Sequence, residues 1–380
     1  MEAGGRERAD VVLAGGGVKG IAHVGVLSVL HERGYRFERA AGTSAGAIAA
    51  SLVAAGMSPP RMQELLGRLD YRAFRDRGAR DRIPLLGPGL SLALEDGIYE
   101  GAYLREWLGN ELSALGVETF DDLRREDPDS SLSADQRYAL VVMAADVTRG
   151  ELVRLPWDYR DRYGLDPGRQ PVVDAVRASM SIPFFFEPVR LEAADGAVST
   201  LVDGGVLTNF PIGIFDRTDG RLPRWPTFGV TLIPPLPVGN AKLFPGLGLV
   251  TRGPLHLLES VLTTMMVGHD QAELRKPWVA ARSIPVDTEQ VNVVDFDIEP
   301  AAQTALYGGG RAAAERFLET WDWDDYRRRY RSASDPDETH VDVGELGVAS
   351  PVEEVGRDLD DEALGRAPDR HPADDQDRLR

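Results

Sequence analysis

The feature that most constrains the fold is a unit made of an apolar strand, a glycine-rich turn and a helix, which occurs twice near the start of the chain. The first unit consists of the apolar run Val11–Ala14, the turn Gly15–Gly17 and helical spacing of apolar residues from Val18 to Glu32. In the second unit Arg36–Ala41 leads into a turn, and the small residues of Ala45–Ala55 predict a helix lying close to a sheet. Strands that alternate with helices predict an α/β fold with a mostly parallel central sheet covered on both faces.

The rest of the chain continues this alternation and then loses it. Further strands are predicted at Tyr138–Ala145, Leu201–Val202, Thr227–Ile233, Arg282–Val286 and Val291–Phe296, and further helices at Arg61–Leu69, Tyr99–Leu115, Val172–Met180, Leu255–Ala281 and Ala301–Trp321. From 332 to 380 the sequence is acidic, interrupted by prolines and aperiodic, which predicts a disordered tail. We therefore expect a core at 9–216, its continuation with apolar loops at 217–331, and the tail.

Composition excludes several classes of function. The formal charge is −18, and the last 49 residues hold fifteen Asp/Glu against five Arg. Along the chain there is no basic stripe for nucleic acid and no Lys/Arg cluster for anionic lipid. The absence of cysteine excludes disulfides and thiolate chemistry. The charged residues Met1–Asp10 do not resemble a secretory signal, so we expect a cytoplasmic protein, with peripheral membrane contact as a further option. The sequence predicts no oligomeric state.

A nucleophile is predicted at the second turn. Gly42-Thr43-Ser44-Ala45-Gly46 is a G-x-S-x-G pentapeptide placed between a strand and a helix. A sharp turn there holds the serine in a strained conformation that exposes its hydroxyl, and the turn requires small flanking residues. Gly42, Ala45 and Gly46 meet that requirement.

The first turn has two interpretations. Gly15-Gly16-Gly17-Val18-Lys19-Gly20 places bare N–H groups at a helix start, which suits an oxyanion hole. The same residues spell G-x-G-x-x-G, the dinucleotide motif. That motif requires an acidic residue after the second strand, where Glu38 is only loosely placed and Ser44 occurs instead. Lys19 is interpreted as a brace for the glycine loop, with a phosphate contact as the alternative.

Two kinds of base are available to such a serine. His256 and His269 are the histidines that suit a Ser-His-Asp triad, although neither follows a strand; His23 is expected to be packed, and His31, His340 and His371 to be solvated. Asp203 is better placed, because it ends an apolar strand and precedes Gly204 and Gly205. Its alternative role is to cap the turn that leads to Asn209.

Together these motifs resemble the patatin-like phospholipase family. The resemblance rests on Gly15–Gly20, Gly42–Gly46 and Asp203-Gly204-Gly205 with Asn209-Phe210-Pro211, and it is supported by Ala178–Pro183 and by Ala145-Asp146 before Thr148-Arg149-Gly150. It implies a three-layer α/β/α fold, Ser44 as nucleophile, Asp203 as general base, and the Gly15, Gly16 and Gly17 amides as the oxyanion hole. It implies no metal and no organic cofactor. Lys19 departs from the family, which usually has arginine there, and lysine lacks the planar fork of arginine.

The resemblance implies hydrolysis of acyl esters of lipids through an acyl-enzyme. The apolar, Pro/Gly-interrupted stretches Ile83–Leu94, Phe184–Phe186 and Leu232–Val250 suggest an acyl groove or a transient membrane interface; packed loops are the alternative. Two other functions remain open at this stage: a non-lipid esterase or acyltransferase with the same dyad, and a nucleotide- or partner-binding module in which Ser44 is structural.

Overall fold

The computed structural model describes residues 7–74, 99–183, 185–232, 273–288 and 297–331. In these residues a single eight-stranded sheet forms the centre of the fold. Its strands are β1 (Glu7–Leu13), β2 (Tyr35–Thr43), β3 (Leu140–Asp146), β4 (Glu151–Leu155), β5 (Val189–Glu192), β6 (Val198–Asp203), β7 (Thr227–Thr231) and β8 (Ser283–Pro285).

The order of the strands in the sheet is β5-β6-β3-β2-β1-β7-β8, with β4 paired to β3. Neighbours from β3 through β2, β1 and β7 to β8 run parallel. The pairings β3–β4, β3–β6 and β5–β6 are antiparallel. The expected α/β class is thus confirmed, with a mixed sheet that is parallel at its centre. β1 and β3 are almost wholly buried, as expected for strands covered on both faces.

Helices pack against this sheet. They are α1 (Ile21–Glu32), α2 (Ala45–Ala54), α3 (Pro59–Gly67), α4 (Ala102–Ala114), α5 (Asp158–Tyr163), α6 (Val172–Ser179), α7 (Pro277–Ala280), α8 (Pro300–Thr320) and α9 (Trp323–Tyr330). The first ten residues of α1 are all buried, which identifies α1 as a core helix.

Glycines bring α1 and α8 into backbone contact. A Cβ on Gly25 would lie 2.2 Å from the Tyr307 carbonyl oxygen, and one on Gly310 would lie 2.1 Å from that of Ala22. Both distances are far below normal contact, so larger residues would force the helices apart. This packing places residues 307–311 against the first helix.

Several sequence expectations fall outside the described residues. These are the tail from 332 to 380, the strand Val291–Phe296, the apolar stretches Ile83–Leu94 and 233–250, and residue Phe184. Only the last part of the expected helix Leu255–Ala281, from residue 273 onward, lies within the described residues. It is not one continuous helix: a helical turn ends before Arg275, and the separate helix α7 begins at Pro277. A proline at the first helical position cannot donate the N–H that would continue the preceding helix. None of the helices described is long and apolar enough to cross a membrane.

Candidate active site

Ser44 occupies the turn between β2 and α2 in a conformation that L-residues rarely adopt. Its backbone angles are φ 53° and ψ −127°, and no other described non-glycine residue has a positive φ. A conformation of this kind costs about 1–3 kcal/mol and persists only where the surrounding structure enforces it. Ser44 therefore occupies a strained turn between a strand and a helix, and its role as nucleophile stays a prediction.

The two glycines of the pentapeptide allow this turn to pack against β1. A Cβ on Gly46 would lie 2.1 Å from the Leu13 carbonyl oxygen, and a Cβ on Gly42 would lie 2.3 Å from the Gly46 carbonyl oxygen. Neither position has space for a side chain. Gly20 is also restricted, because its Cβ would lie 3.1 Å from that of Ala45, so the first glycine turn and the second are in contact.

The register of β3 brings Asp203 to Ser44. Thr43, which precedes the serine, pairs with Met143 in the parallel β2–β3 ladder. Ala144, the next residue of β3, pairs with Asp203 in the antiparallel β3–β6 ladder. Gly204 makes the approach possible, because a Cβ there would lie 2.5 Å from the Met143 carbonyl oxygen. Two residues 159 positions apart in the sequence thus become neighbours across one strand.

A short segment at the end of α6 contacts both residues. The Ser44 N–H donates to Ser179 Oγ at 2.9 Å, and that hydroxyl donates to the Met143 carbonyl at 2.6 Å. The Ser44 hydroxyl contacts Met180 Sδ at 3.6 Å. The Asp203 N–H donates to the Ser181 carbonyl at 2.9 Å. Residues 179–181 therefore hold the backbone of Ser44 and of Asp203 in fixed relation.

Burial dominates the electrostatics of Asp203. The residue is fully buried, and this desolvation raises the pKa of its carboxyl to about 7. The Gly205 N–H, which donates to Oδ1 at 2.8 Å, and the Ser44 hydroxyl both oppose the increase by favouring the carboxylate. Oδ2 has no hydrogen bond of normal geometry to any described group. Ser44 is thus near enough to influence the carboxyl, which retains one unpaired oxygen.

The peptide unit joining Ala14 to Gly15 is fixed at both ends. His23 Nε2 donates to the Ala14 carbonyl at 2.8 Å, and the Gly15 N–H donates to Asn209 Oδ1 at 2.9 Å. A Cβ on Gly15 would lie 2.2 Å from that same Oδ1 and 3.1 Å from the Ser44 Cβ. Burial lowers the pKa of His23 to about 4, so this histidine is neutral near pH 7 and acts as a donor in the core.

This arrangement changes the expectation for the glycine loop. Gly15 was expected to supply an oxyanion donor, but its N–H is already bonded to Asn209. Gly16 and Gly17 provide the remaining donors of the motif, and Gly17 turns the backbone with a φ of 57° at the start of the 3₁₀ turn Gly17–Gly20. Lys19, in that turn, is buried, and its N–H donates to the Gly16 carbonyl at 3.2 Å.

The alternative use of the glycine loop, dinucleotide binding, finds no support at Glu38. This carboxylate accepts hydrogen bonds from Arg36 and Arg125. It lies in the first half of β2, whereas the glycine loop follows the end of β1. A ribose-binding acid would have to lie beside the loop. His256 and His269, the histidines suited to a triad, lie outside the described residues.

Asn209 and Ser179 are the site residues to which sequence reasoning assigned no role. Both lie within stretches that carry the family resemblance, but the sequence alone does not show their contacts. The sequence feature that could have indicated Asn209 is a side-chain amide four residues after Gly205, close enough to the Asp203–Gly205 turn to form a hydrogen bond with the Gly15–Gly17 loop. The signal for Ser179 is a small hydroxyl residue at the end of α6, next to the strand ends.

Comparison with known proteins points to one family. A family model described as "Patatin-like phospholipase" matches residues 11–216. The chain is 36% identical over 313 residues to the uncharacterised protein YqhO of Bacillus subtilis (strain 168), a match covering 82% of this chain and 98% of YqhO. It is 29% identical over 317 residues to the uncharacterised NTE family protein Rv2565 of Mycobacterium tuberculosis, covering 81% of this chain and 46% of that protein. Among solved structures, VipD from Legionella pneumophila is similar, with a TM-score of 0.44, 19% identity, and coverage of 84% of this chain and 69% of VipD.

Proposed function

The chain belongs to the patatin-like phospholipase family, and from this premise we propose that it is a serine acyl hydrolase that cleaves carboxylic ester bonds of lipids through a Ser44–Asp203 dyad. The observation that carries the proposal is the β2–β3–β6 register, which sets a strained serine beside a buried carboxylate with one unpaired oxygen. A serine, a proton acceptor and free backbone donors are the groups that acyl transfer to serine requires.

The proposed reaction has two halves. Ser44 Oγ attacks the ester carbonyl as its proton passes to Asp203, and the negative charge that develops on the carbonyl oxygen is stabilised by the Gly16 and Gly17 N–H groups. The tetrahedral intermediate then breaks its bond to the leaving alcohol, which takes the proton from Asp203, and Ser44 stays acylated. Water attacks the acyl-enzyme, gives its proton to Asp203 and releases the fatty acid, and the proton returns to Ser44.

Burial makes a carboxylate an effective base in this site. In water a carboxyl group has a pKa near 3.9 and accepts a serine proton poorly. The desolvation that raises the pKa of Asp203 to about 7 brings its basicity close to that suited to catalysis near neutral pH. Ser44 is also buried, so water competes little with the oxyanion donors.

The proposal is tested by reacting the protein with a fluorophosphonate and locating the adduct by mass spectrometry. We expect one adduct on the peptide that carries Ser44, together with loss of hydrolysis of a micellar phospholipid. The Ser51→Ala variant is a matched control, since Ser51 is a buried serine on α2 whose hydroxyl donates to the Ile48 carbonyl; it should label and hydrolyse like the wild type. Absence of an adduct on Ser44 would favour the binding module, and ester cleavage by transfer to an added alcohol instead of water would favour the acyltransferase.

Asn209→Ala is expected to lower kcat about 10- to 100-fold with a smaller effect on KM. The change removes the acceptor of the Gly15 N–H, so the loop that presents the Gly16 and Gly17 donors loses its anchor beside Ser44, and oxyanion donors must be fixed in advance to be effective. Steady-state kinetics on a soluble ester measures both constants.

The matched control for this variant is Thr208→Ala. Thr208 is the neighbouring buried residue, and its side chain forms no hydrogen bond with the described residues. It should keep kcat within about threefold of the wild type. A wild-type kcat in Asn209→Ala, or equal losses in the two variants, would contradict the role assigned to the amide.

A further inference from the structure

The first halves of β1 and β2 border a cavity of about 230 Å³ that is rich in arginine. No basic cluster is visible along the sequence, because these residues come from separate segments. Arg8 and Arg36 are direct partners in the β1–β2 ladder. The Arg125 N–H donates to the Arg137 carbonyl at 2.8 Å, which makes these two residues neighbours as well. Five arginines line the cavity: Arg8, Arg36, Arg39, Arg125 and Arg137.

Carboxylates balance only part of this charge. Glu38 accepts from Arg36 and Arg125, and Asp10 is paired with Arg39. Glu126 and Asp127 also line the cavity. Asp127 is paired with Arg224, which does not line the cavity, and Glu126 is exposed and forms no ion pair in the described parts of the chain. These two acids therefore do not pair with Arg8 or Arg137.

Arg8 and Arg137 are held in place without being neutralised. The guanidinium of Arg8 lies 4.3 Å from the centre of the Trp225 ring, and Arg137 Nε donates to the Leu132 carbonyl at 3.1 Å. Neither has a carboxylate partner among the described residues. Arg8 lies opposite Arg36 in the β1–β2 ladder, and like charges repel, so a bound anion would lower the electrostatic energy of Arg8 beside its neighbour.

We propose that this cavity binds a compact phosphorylated anion. Guanidinium groups match phosphate oxygens with paired, charge-assisted hydrogen bonds. The cavity volume of about 230 Å³ is many times the ~10–15 Å³ that a single water needs, so the cavity has room for one or two phosphate groups. Sites for drug-sized ligands are larger, about 300–1,000 Å³, so the volume favours a small phosphate ester or diphosphate over a nucleotide.

The position of the cavity favours a soluble ligand over a lipid headgroup. Ser44 directly follows β2 and is eight positions after Arg36, a distance of about 26 Å at ~3.3 Å per residue. The two sites therefore lie at opposite ends of β2, and a membrane in contact with the Ser44 end would not contact the arginines. The binding of an anion by these arginines does not depend on the proposed hydrolase activity, since it concerns other residues. The preference for a soluble ligand rests on that proposed activity, because it assumes that a membrane is engaged at Ser44.

The experiment is calorimetric titration of the whole chain with pyrophosphate at low ionic strength, followed by thermal unfolding with and without pyrophosphate. We expect saturable binding with one site, weakening as salt is added, and a higher melting temperature in pyrophosphate. In Arg8→Gln/Arg137→Gln the affinity should fall about 100-fold and the melting shift should vanish. The melting temperature without ligand should change little, because the relief of repulsion between arginines offsets the loss of the Arg8–Trp225 contact and of the Arg137–Leu132 hydrogen bond. Arg316→Gln, a change of an exposed arginine on α8, should bind like the wild type.

Three results would overturn the proposal. They are no saturable binding of pyrophosphate to the wild type, full binding by the double variant, and an equal loss of affinity in Arg316→Gln, which would mean that only overall charge matters. A parallel sedimentation assay uses phosphatidylcholine vesicles with and without phosphatidic acid. If the wild type binds the anionic vesicles through Arg8 and Arg137 but does not bind pyrophosphate, the ligand is a headgroup and the soluble-ligand proposal is rejected.

Discussion

Replacing Ser44 with alanine is expected to lower kcat/KM for ester hydrolysis on the order of 10⁴- to 10⁶-fold, the range seen when a serine nucleophile is removed. The backbone contacts of residue 44 remain, because its N–H still donates to Ser179 Oγ. The loss should therefore occur without unfolding, and circular dichroism with thermal melting should show a wild-type fold. The assay is hydrolysis of a soluble ester and of a micellar phospholipid by variant and wild type in parallel.

Ser44→Gly separates chemistry from backbone strain. The angles φ 53° and ψ −127° suit glycine, which populates positive φ freely, whereas other residues there bear about 1–3 kcal/mol of strain. Glycine also carries an entropic cost of ~0.5–1 kcal/mol, which offsets part of the strain that it relieves. The free energy of unfolding of Ser44→Gly should therefore exceed that of Ser44→Ala by roughly 1 kcal/mol. Both variants should be equally inactive. Substantial hydrolysis by either one would show that another residue is the nucleophile.

The positions of the motifs could be inferred from the sequence because they depend on local patterns. An apolar strand that ends in glycines, followed by helical spacing, fixes where Gly15–Gly17 and Ser44 lie on the fold. The family was identified from three such motifs in order, and the family model confirms it. The placement of Asp203 beside Ser44 needs one more fact, the antiparallel return of β6 along β3, and sequence periodicity does not give strand direction.

Contacts between distant loops could not be inferred in this way. Whether the Gly15 N–H can donate to a substrate depends on Asn209, 194 positions later. A glycine motif considered by itself does not show that this N–H already donates to another residue. The arginine cavity is a similar case. Arg8, Arg36, Arg125 and Arg137 come from separate segments of the sequence, and the start of the β1–β2 ladder and one loop hydrogen bond bring them together in pairs.

Asp203→Asn is expected to lower kcat/KM by about 10²- to 10⁴-fold, the usual contribution of a general base. The active form of the base is the carboxylate, so wild-type kcat/KM should rise with pH with a midpoint near 7, where burial sets the pKa of Asp203. The residual activity of Asp203→Asn should lack this rise. His23 cannot take over the role of base, because its Nε2 donates to the Ala14 carbonyl and its pKa is about 4. A pH rise that persists in Asp203→Asn would assign the proton to another group, including a histidine outside the described residues.

The pH dependence of the free energy of unfolding provides an independent measure of the pKa of the Asp203 carboxyl. The pKa of Asp203 is higher in the folded chain than its ordinary value of 3.8, so between about pH 4 and pH 7 the folded state holds a proton that the unfolded state has lost. The contribution of Asp203 to the free energy of unfolding is therefore complete below pH 4 and decreases as pH rises through 7. Urea unfolding at several pH values should show this decrease in wild type and not in Asp203→Asn. Ser44→Ala should retain it and extend it to higher pH, because the Ser44 hydroxyl that favours the carboxylate is gone. Identical pH dependence in all three proteins would mean that Asp203 does not titrate beside Ser44.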